Sequence, residues 1–472
     1  MVAFNIDTSL TMYLEFEDWV SESVLELIEQ EIDEYEAVFG VTTTIGKAPS
    51  KHPRWIIQED PTAETPALTW NPSAQQMTSL VKNTSQIFDT FSLLHSLAHS
   101  PHYEISAQEP ATIDEAIELL NQEVKNTYPY FELRKIDWQT LFEEALTRKP
   151  KTWREFSVWA KKLVAQLGDA HTSVIDHKTG GNRTPYAGKL SDGVLTLTEI
   201  PPHTAAYAAG VRAGWQLEIC TPEFWEETAG ATPQQCAEIA ARNAMSFAEE
   251  SARFTARNPR TLEKISWQEE ASVPTAEEVI RIHHREEHTM YVRLSHFIAD
   301  LGIEEKIEKL CLESSQEDLL ILDLRNNTGG NIMLASTLRS MFLQEKTLLG
   351  YSSFTTGRGE LSEPRARWAK PHPRARWKGQ LTVLVNSLTY SASEDFLLSL
   401  QGLDGFKILG TTTGGGSGRP RSLPLGPDLT LRISTAITYD RNRRPVEYRG
   451  IEPDGAVTDE TGRLLTDPET LL

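Results

Sequence analysis

The 472-residue chain is poor in cysteine, in positive charge and in long apolar runs. Its three cysteines, Cys220, Cys236 and Cys311, stand far apart and in odd number. They neither frame a disulfide scaffold nor form a CxxC metal knuckle, and they read as small buried apolar residues. Lys and Arg total 46 against 67 Asp and Glu, a formal net charge of −21. So acidic a molecule repels phosphate backbones and anionic lipid, which excludes nucleic acid and membrane surfaces as expected partners. No apolar run approaches the roughly 20 residues of a membrane span. The first twenty residues, MVAFNIDTSLTMYLEFEDWV, carry no Lys or Arg ahead of their apolar positions, so no export signal is read there and a cytoplasmic protein is expected. Hydrophobic residues at 39% with 28 Gly and 25 Pro exclude a collagenous or mainly disordered chain. The length suggests about three domains.

Residues 1–111 resist assignment as a domain. Val20, Val24, Leu27, Ile28, Tyr35, Val38 and Phe39 recur at helical spacing over 19–39 and Gly40 ends the run; a second apolar periodicity covers Gln86 to Leu97. Between them, Lys47 to Pro72 is rich in Pro and Thr and reads as irregular. Residues 112–185 are helical, opened by a capping box in which Thr112 precedes Glu115 by three. Trp138, Leu141 and Phe142 mark another helix, and Phe156, Trp159, Leu163 and Leu167 a third. Residues 186–275 form a small β module, with alternation in Val194-Leu195-Thr196-Leu197 and a glycine-bounded turn at 210–214. From 276 to 472, strand-length apolar runs (Leu319–Leu324, Leu381–Val385, Phe406–Leu409) alternate with helical patterns (Ile332–Phe342, Ser393–Leu400), which predicts an α/β core with a substantially parallel sheet.

Two strand ends in that core carry chemistry-bearing loops, Asp323-Leu324-Arg325-Asn326-Asn327-Thr328-Gly329-Gly330 and Asn386-Ser387-Leu388-Thr389-Tyr390-Ser391-Ala392-Ser393-Glu394. Ligands of open α/β sheets bind at the carboxyl ends of strands, so both loops are expected to border one crevice. Gly329 and Gly330 let backbone N–H groups approach a ligand oxygen, as an oxyanion hole requires. Ser391 falls at a strand-to-helix transition, where its hydroxyl can face outward while the Ala392 N–H points the same way. The plainer alternative is that Ser391 or Ser393 N-caps a helix and the glycines make a turn.

These residues resemble the serine peptidases that include C-terminal processing (tail-specific) proteases, the tricorn core protease and the interphotoreceptor retinoid-binding protein. The resemblance spans about residues 112–460 and rests on ordered pieces: TYPYFELRKIDW at 127–138, LGDAHTS at 167–173, AAGVRAGWQLEI at 208–219, LILDLRNNTGG at 320–330, VLVNSLTYSASEDF at 383–396, GTTTGGGSG at 410–418 and EYRGIEPD at 447–454. It implies a crotonase/Clp-protease-like catalytic core with an inserted PDZ-like module. The family nucleophile lies three positions before the Glu of SxxE, which selects Ser391 over Ser393. Tail-specific members place a catalytic lysine in a loop similar to 410–418. The aligned position here is Gly416 and no lysine follows Lys407, so a serine–lysine dyad is not expected. The tricorn-like branch uses a histidine matched by His171 and a glutamate matched by Glu447, although Glu452 and Asp454 lie close by and Ala170 stands where that branch has a serine. The relay implied is attack by Ser391, proton acceptance by His171 and orientation of the imidazole by Glu447, with Gly329 or Gly330 and Ala392 holding the oxyanion. Arg325, Asn327 and Tyr390 are expected to contact substrate.

The chain is thus expected to be a metal-independent serine-type peptidase that needs no cofactor, acts on peptides or proteins and is compatible with homo-oligomerisation. Its activity should rise as His171 loses its proton, near pH ~6.5 for an unperturbed imidazole. The alternatives are an inactive binding protein, as the retinoid-binding relative illustrates, and a PDZ-type interaction module on an inert core. In the latter sense, the stretch Tyr186-Ala187-Gly188-Lys189-Leu190 lacks a recognisable carboxylate-binding loop, and a structural β module gating the cleft is as good a reading. His284-Arg285-Glu286-Glu287-His288 satisfies the HxxEH zinc-protease string, but its flanks read as strands around a turn rather than the helix such a site needs. The 410–418 loop lacks the Lys-Ser/Thr ending of a phosphate loop, and no serine sits in GxSxG. The near-repeat PRARW at 364–368 and 373–377, with Arg441, Arg443, Arg444 and Arg449, is read as pairing internally with the acidic N-terminal region, the alternative being attraction of an acidic peptide.

Overall fold

A computed structural model describes residues 10–16, 20, 25, 28, 32, 42–63, 67–71, 73–82, 86, 87, 90, 110–178, 182–191, 193–202, 204–218, 240, 241, 244–247, 249–271, 275–286, 288–299, 301–355 and 359–457. The N-terminal part is a five-stranded sheet of β1 (Met12–Phe16), β2 (Thr43–Ile45), β3 (Arg54–Glu59), β4 (Ala67–Asn71) and β5 (Gln76–Val81), in the order β2-β1-β3-β5-β4. All neighbours are parallel except β4 against β5. Two of these strands fall within 47–72, the stretch read as irregular. There Trp55 and Ile57 alternate inward from β3 and pack with Met12, Leu14 and Met77. A three-residue apolar run with two inward positions was enough to make a strand because its neighbours supply the ladder. Positions 25, 28 and 32 are helical, with Ile28 and Ile32 buried, and so are 86, 87 and 90. The rest of both expected helices lies outside the described residues, as do Cys220 and Cys236.

The helices α1 (Ile113–Thr127), α2 (Phe131–Arg134), α3 (Trp138–Leu146) and α4 (Trp153–Ala165) follow, then strand β6 (Ser173–Asp176). The capping box at Thr112 forms: Glu115 N–H donates to Thr112 Oγ1 and Thr112 N–H to Glu115 Oε2, both at 3.2 Å. Leu120, Phe142, Phe156 and Leu163 share one buried core with Leu423, Leu431 and Ile433 from the far end of the chain. The next module pairs β7 (Asn182–Arg183) with β11 (Ser246–Phe247). Its main sheet is antiparallel, built of β8 (Ala187–Ser191), β9 (Val194–Glu199), β10 (Gln216–Leu217), β12 (Ser251–Arg257) and β13 (Lys264–Glu270) in the order β13-β12-β10-β9-β8, with α5 (Ala205–Ala208) between β9 and β10. Leu195 and Leu197 are the inward residues of β9.

After α6 (Ala276–Val279), the next sheet runs β14-β15-β16-β19-β20. Its strands are β14 (Ile280–Glu286), β15 (Thr289–Leu294), β16 (Leu319–Asp323), β19 (Gln380–Val385) and β20 (Phe406–Gly410). β15, β16, β19 and β20 are parallel and β14 is antiparallel to β15. Helices α7 (Ile303–Glu313), α8 (Ile332–Ser340) and α9 (Ala392–Leu400) pack on it, and Cys311 is buried among them. Two three-stranded sheets complete the fold: β17 (Thr347–Phe354) with β18 (Arg365–Ala369) and β23 (Ala436–Tyr439), and β21 (Arg421–Gly426) with β22 (Leu429–Ile433) and β6. The parallel register aligns Asp323 with Leu384 and Val385 with Gly410, so the loops after β16, β19 and β20 emerge at one end of the sheet. The β6–β22 ladder, with Val174 opposite Leu431 and Ser173 opposite Arg432, brings the helical region's LGDAHTS segment to that same end.

Among the described residues, the basic segments pair internally with carboxylates of residues 308–440. Arg339 and Arg367 both bind buried Asp395 on α9, at 2.7 and 2.5 Å. Arg444 and Arg449 share Asp440, and Arg374 meets Glu308. Arg441 donates to the carbonyls of Leu348, Ser399 and Gln401 and so closes the C-terminal end of α9. Leaving Asp395 buried without its arginines would cost on the order of 3–5 kcal/mol. These ion pairs hold the helix that carries Ser391 at its start.

Candidate active site

Ser391 occupies the N-cap position of α9 at φ 60° and ψ −120°. A non-glycine residue at positive φ is strained, by on the order of 1–3 kcal/mol, and such residues gather where structure over-determines function. The strain is held by the Ser391 N–H, which donates to Gly416 O at 3.1 Å and to Glu394 Oε2 at 3.3 Å, and by Tyr390 N–H, which donates to Asn327 O at 3.0 Å. Ser391 is half-buried while every other residue from Leu388 to Leu400 is buried.

His171 Nε2 lies 3.0 Å from Ser391 Oγ, across 220 residues of sequence. The imidazole is 2% exposed. Its loop is held by Asp169, which accepts from His171 N–H at 2.8 Å, Thr172 Oγ1 at 2.5 Å and Ser434 Oγ at 2.6 Å. Ser434 follows β22 directly and Thr172 precedes β6 directly, so the ladder between those strands sets the histidine's position. Tyr128 Oη donates to Leu167 O at 2.9 Å and contacts Tyr448 Oη at 3.0 Å, while the Arg134 guanidinium stacks on Tyr448 at 3.9 Å. This is the structural meaning of the TYPYFELR segment: it buttresses the histidine loop. Burial, and after it the Arg432 charge, holds His171 well below the ordinary value of 6.5. Burial pushes Asp169 up, against three hydrogen bonds that favour its charged form.

Glu447 does not contact the imidazole. Its Oε2 accepts from Ser417 N–H at 2.9 Å and Tyr130 Oη at 3.1 Å, and its Oε1 is buried with no hydrogen-bond partner. Burial, and then Asp169, push it well above the ordinary carboxylate range. The partner of His171 Nδ1 is Tyr390 Oη at 3.0 Å, with the two rings stacked at 4.6 Å between centroids. Tyr390 fits there because residue 416 is glycine: a Cβ on Gly416 would collide with the Tyr390 hydroxyl and ring. The ring thus fills the space where the family resemblance would put a lysine side chain.

Of the two glycines expected to bind an oxyanion, Gly329 already donates its N–H to Asn327 Oδ1 at 2.9 Å. A Cβ on Gly329 would lie 2.7 Å from Tyr390 O and 2.8 Å from Ala392 N, so this glycine serves close approach to the serine turn. The N–H groups of Gly330 and Ala392 are engaged by no other described residue. Arg325, Asn327 and Tyr390, expected to contact substrate, are all buried. Arg325 makes a fork to Asp323, with Nε to Oδ1 at 3.0 Å and Nη2 to Oδ2 at 2.8 Å. Asn327 Nδ2 donates to Leu294 O at 2.9 Å, so it shapes the glycine loop from within. The Glu of SxxE, Glu394, ties the serine helix to the 410–418 loop by accepting from Thr413 Oγ1 at 2.5 Å and from the Gly415 and Gly416 N–H groups at 2.8 Å. Burial pushes its carboxyl up to about 7. Sequence reasoning missed Asp169, Thr172 and Ser434 as a unit; the DAHT string was the signal for the first two, and nothing local marks Ser434.

The 284–288 string lies at the β14–β15 hairpin, not on a helix, with His288 Nδ1 3.0 Å from Asp318 Oδ1. Among the described residues no group of three or more His, Cys, Asp or Glu is arranged to hold a metal ion, and no helix is long and apolar enough to cross a membrane.

Residues 288–457 match the family model described as Peptidase family S41. That segment is similar to peptidase family S41 and contains Ser391 and Glu447 but not His171. The carboxyl-terminal-processing protease of Picosynechococcus sp. is 30% identical over 171 residues, 36% of this chain and 39% of that protein. The protein of the same name in Synechocystis sp. is 31% identical over 168 residues, 35% and 37% of the two chains. The chain therefore spans about two fifths of the length of the curated relatives it matches. Among solved structures, mature CPAF aligns with a TM-score of 0.55 at 16% identity over 73% of this chain and 92% of that one. The photosystem II D1 C-terminal processing protease aligns with a TM-score of 0.51 at 16% identity over 76% and 96%. These likenesses extend the shared fold well beyond residues 288–457.

Proposed function

We propose that the chain is a serine-type peptidase that cleaves peptide bonds of protein or peptide substrates through an acyl-enzyme on Ser391. The observation that carries this is the 3.0 Å approach of His171 Nε2 to a serine hydroxyl held on a strained turn, beside two unengaged N–H groups. His171 Nε2 takes the Ser391 proton as Oγ attacks the scissile carbonyl carbon. The oxyanion that forms accepts from Gly330 and Ala392 N–H. The imidazolium then protonates the departing amine, and in the second half-reaction His171 deprotonates the water that releases the acyl group. We also infer that the 186–275 module is PDZ-like and receives an extended substrate segment at β8. In support, β8 ends its sheet and pairs only with β9 among the described strands.

The test is incubation of the protein with a mixture of denatured proteins, with mass-spectrometric mapping of new termini. The proposal expects cleavage by the wild type and none by Ser391→Ala. Equal cleavage by both would refute the assignment of Ser391.

A further inference from the structure

We infer that Tyr390, the residue preceding the serine, is the positioning residue that holds His171 in its base form, in the place the relay scheme gives to a carboxylate. This rests on the serine-peptidase reading above and names the part of that site which the expected relay leaves unfilled.

Three observations carry it. First, Tyr390 Oη is the hydrogen-bond partner of His171 Nδ1 at 3.0 Å, and among the described residues neither group has another side-chain partner except Ser391 at Nε2. Second, the rings stack at 4.6 Å with 24° between their planes, so the contact fixes the plane of the imidazole as well as one of its nitrogens. Third, Gly416 leaves the hydroxyl's place clear, and Tyr390 is anchored at its own backbone by Asn327 O. Glu447, the carboxylate expected at Nδ1, instead accepts from Ser417 N–H and Tyr130 Oη through Oε2.

The chemistry follows from proton positions. For Nε2 to accept the Ser391 proton its lone pair must be free, so the neutral imidazole must carry its hydrogen on Nδ1 and donate it to Tyr390 Oη. When the Ser391 proton arrives at Nε2, the same Nδ1–H···Oη bond becomes charge-assisted and steadies the imidazolium until the proton passes to the leaving amine. Tyr390 keeps its own proton throughout. Burial, and after it the charge of Glu447, pushes the Tyr390 hydroxyl well above its ordinary range. A neutral hydroxyl stabilises an imidazolium less than a carboxylate does. The charged groups acting on this pair are Asp169 on the histidine's own loop, Arg432 on β22, and Glu447 and Glu394.

The experiment measures the rate at which a fluorophosphonate probe labels Ser391 from pH 4 to 9 in the wild type and in Tyr390→Phe. Phenylalanine keeps the stack and deletes only the acceptor. Labelling is expected to slow by about tenfold to hundredfold, the worth of a hydrogen bond to a charged group. Its acid limb is expected to move to lower pH, because the imidazolium loses its support. A purely structural role would lower the labelled fraction and leave the pH profile where it was. Equal rates and superimposable profiles would overturn the inference. Should Tyr390→Phe fail to fold, the ¹⁵N spectrum of the wild-type imidazole decides: a neutral His171 protonated at Nδ1 upholds the assignment, and one protonated at Nε2 overturns it. Absence of labelling in the wild type would instead defeat the peptidase reading, leaving the tautomer alone to judge the role of Tyr390.

Discussion

The two halves of the candidate site are built in opposite ways. The serine half comes from three loops at the ends of adjacent parallel strands, and its contacts run among residues 327, 329, 390–394 and 413–416 within one sheet's edge. The histidine half is assembled across the whole chain: Tyr128 and Tyr130 from the segment after α1, Asp169 and His171 ahead of β6, Ser434 after β22, and Glu447 and Tyr448 beyond β23. The local half is held by strand pairing and by the buried Arg339–Asp395–Arg367 cluster. A dispersed half depends on every piece arriving. The family model matches 288–457, which contains the serine half complete and only the C-terminal contributors to the histidine half.

The largest expected effect tests whether the dispersed half works on the local one at all. His171→Ala should lower peptide cleavage by at least ~10⁴-fold with the fold intact, as loss of a base does in serine peptidases. Asp169→Ala sharpens the comparison next. It strips one acceptor from three buried donors, and thermal or denaturant unfolding should show a loss of about 3 kcal/mol at roughly 1 kcal/mol per bond. Activity should fall by more than the unfolded fraction explains, because the histidine loop is what those bonds hold. Gly416→Ala probes the seam between halves. Its Cβ collides with Tyr390, so it should cost about 1–3 kcal/mol of stability and slow probe labelling.

Acidity offers a gentler break. Burial keeps His171 neutral below its ordinary 6.5, so the acid limb of kcat/KM should lie below pH 6.5 rather than at it. The linked stability has the depressed-pKa sign: the contribution is full above 6.5 and is lost as pH falls from there toward the folded value. An acid limb at or above 6.5 would mean that solvent or a carboxylate reaches the imidazole. Smallest of all should be Glu199→Gln at the end of β9. Glu199 pairs with Arg293 at 2.9 Å and with Asn326 beside the glycine loop, so it ties the β module to the serine half. Probe labelling should change less than threefold, while KM for long peptides rises.

The same contrast explains what the sequence revealed. Leu319–Asp323, Gln380–Val385 and Phe406–Gly410 stood out as apolar runs, and the loops after them could be read for Ser391, Gly329 and Gly330, because parallel strands and strand-end loops are written in contiguous residues. His171 was found by its family motif, not by local pattern. The identity of its Nδ1 partner was not legible: Glu447 and Tyr390 differ there by side-chain direction within a packed interior, which no spacing encodes. Arg325 and Asn327 looked like ligand groups because they are polar and sit at a strand end, yet both are consumed by Asp323, Leu294 and Gly329 in building the loop. In the N-terminal sheet, β3 escaped notice because two inward residues, Trp55 and Ile57, are too short an alternation to outweigh their proline-rich surroundings.

Peptidase activity would require His171 to activate Ser391 across the join of the two halves. Fluorophosphonate labelling followed by peptide mapping tests it directly. Ser391 should be modified in the wild type, and the modification should disappear in a folded His171→Ala variant. Labelling of Ser391 that persists unchanged without His171 would contradict it.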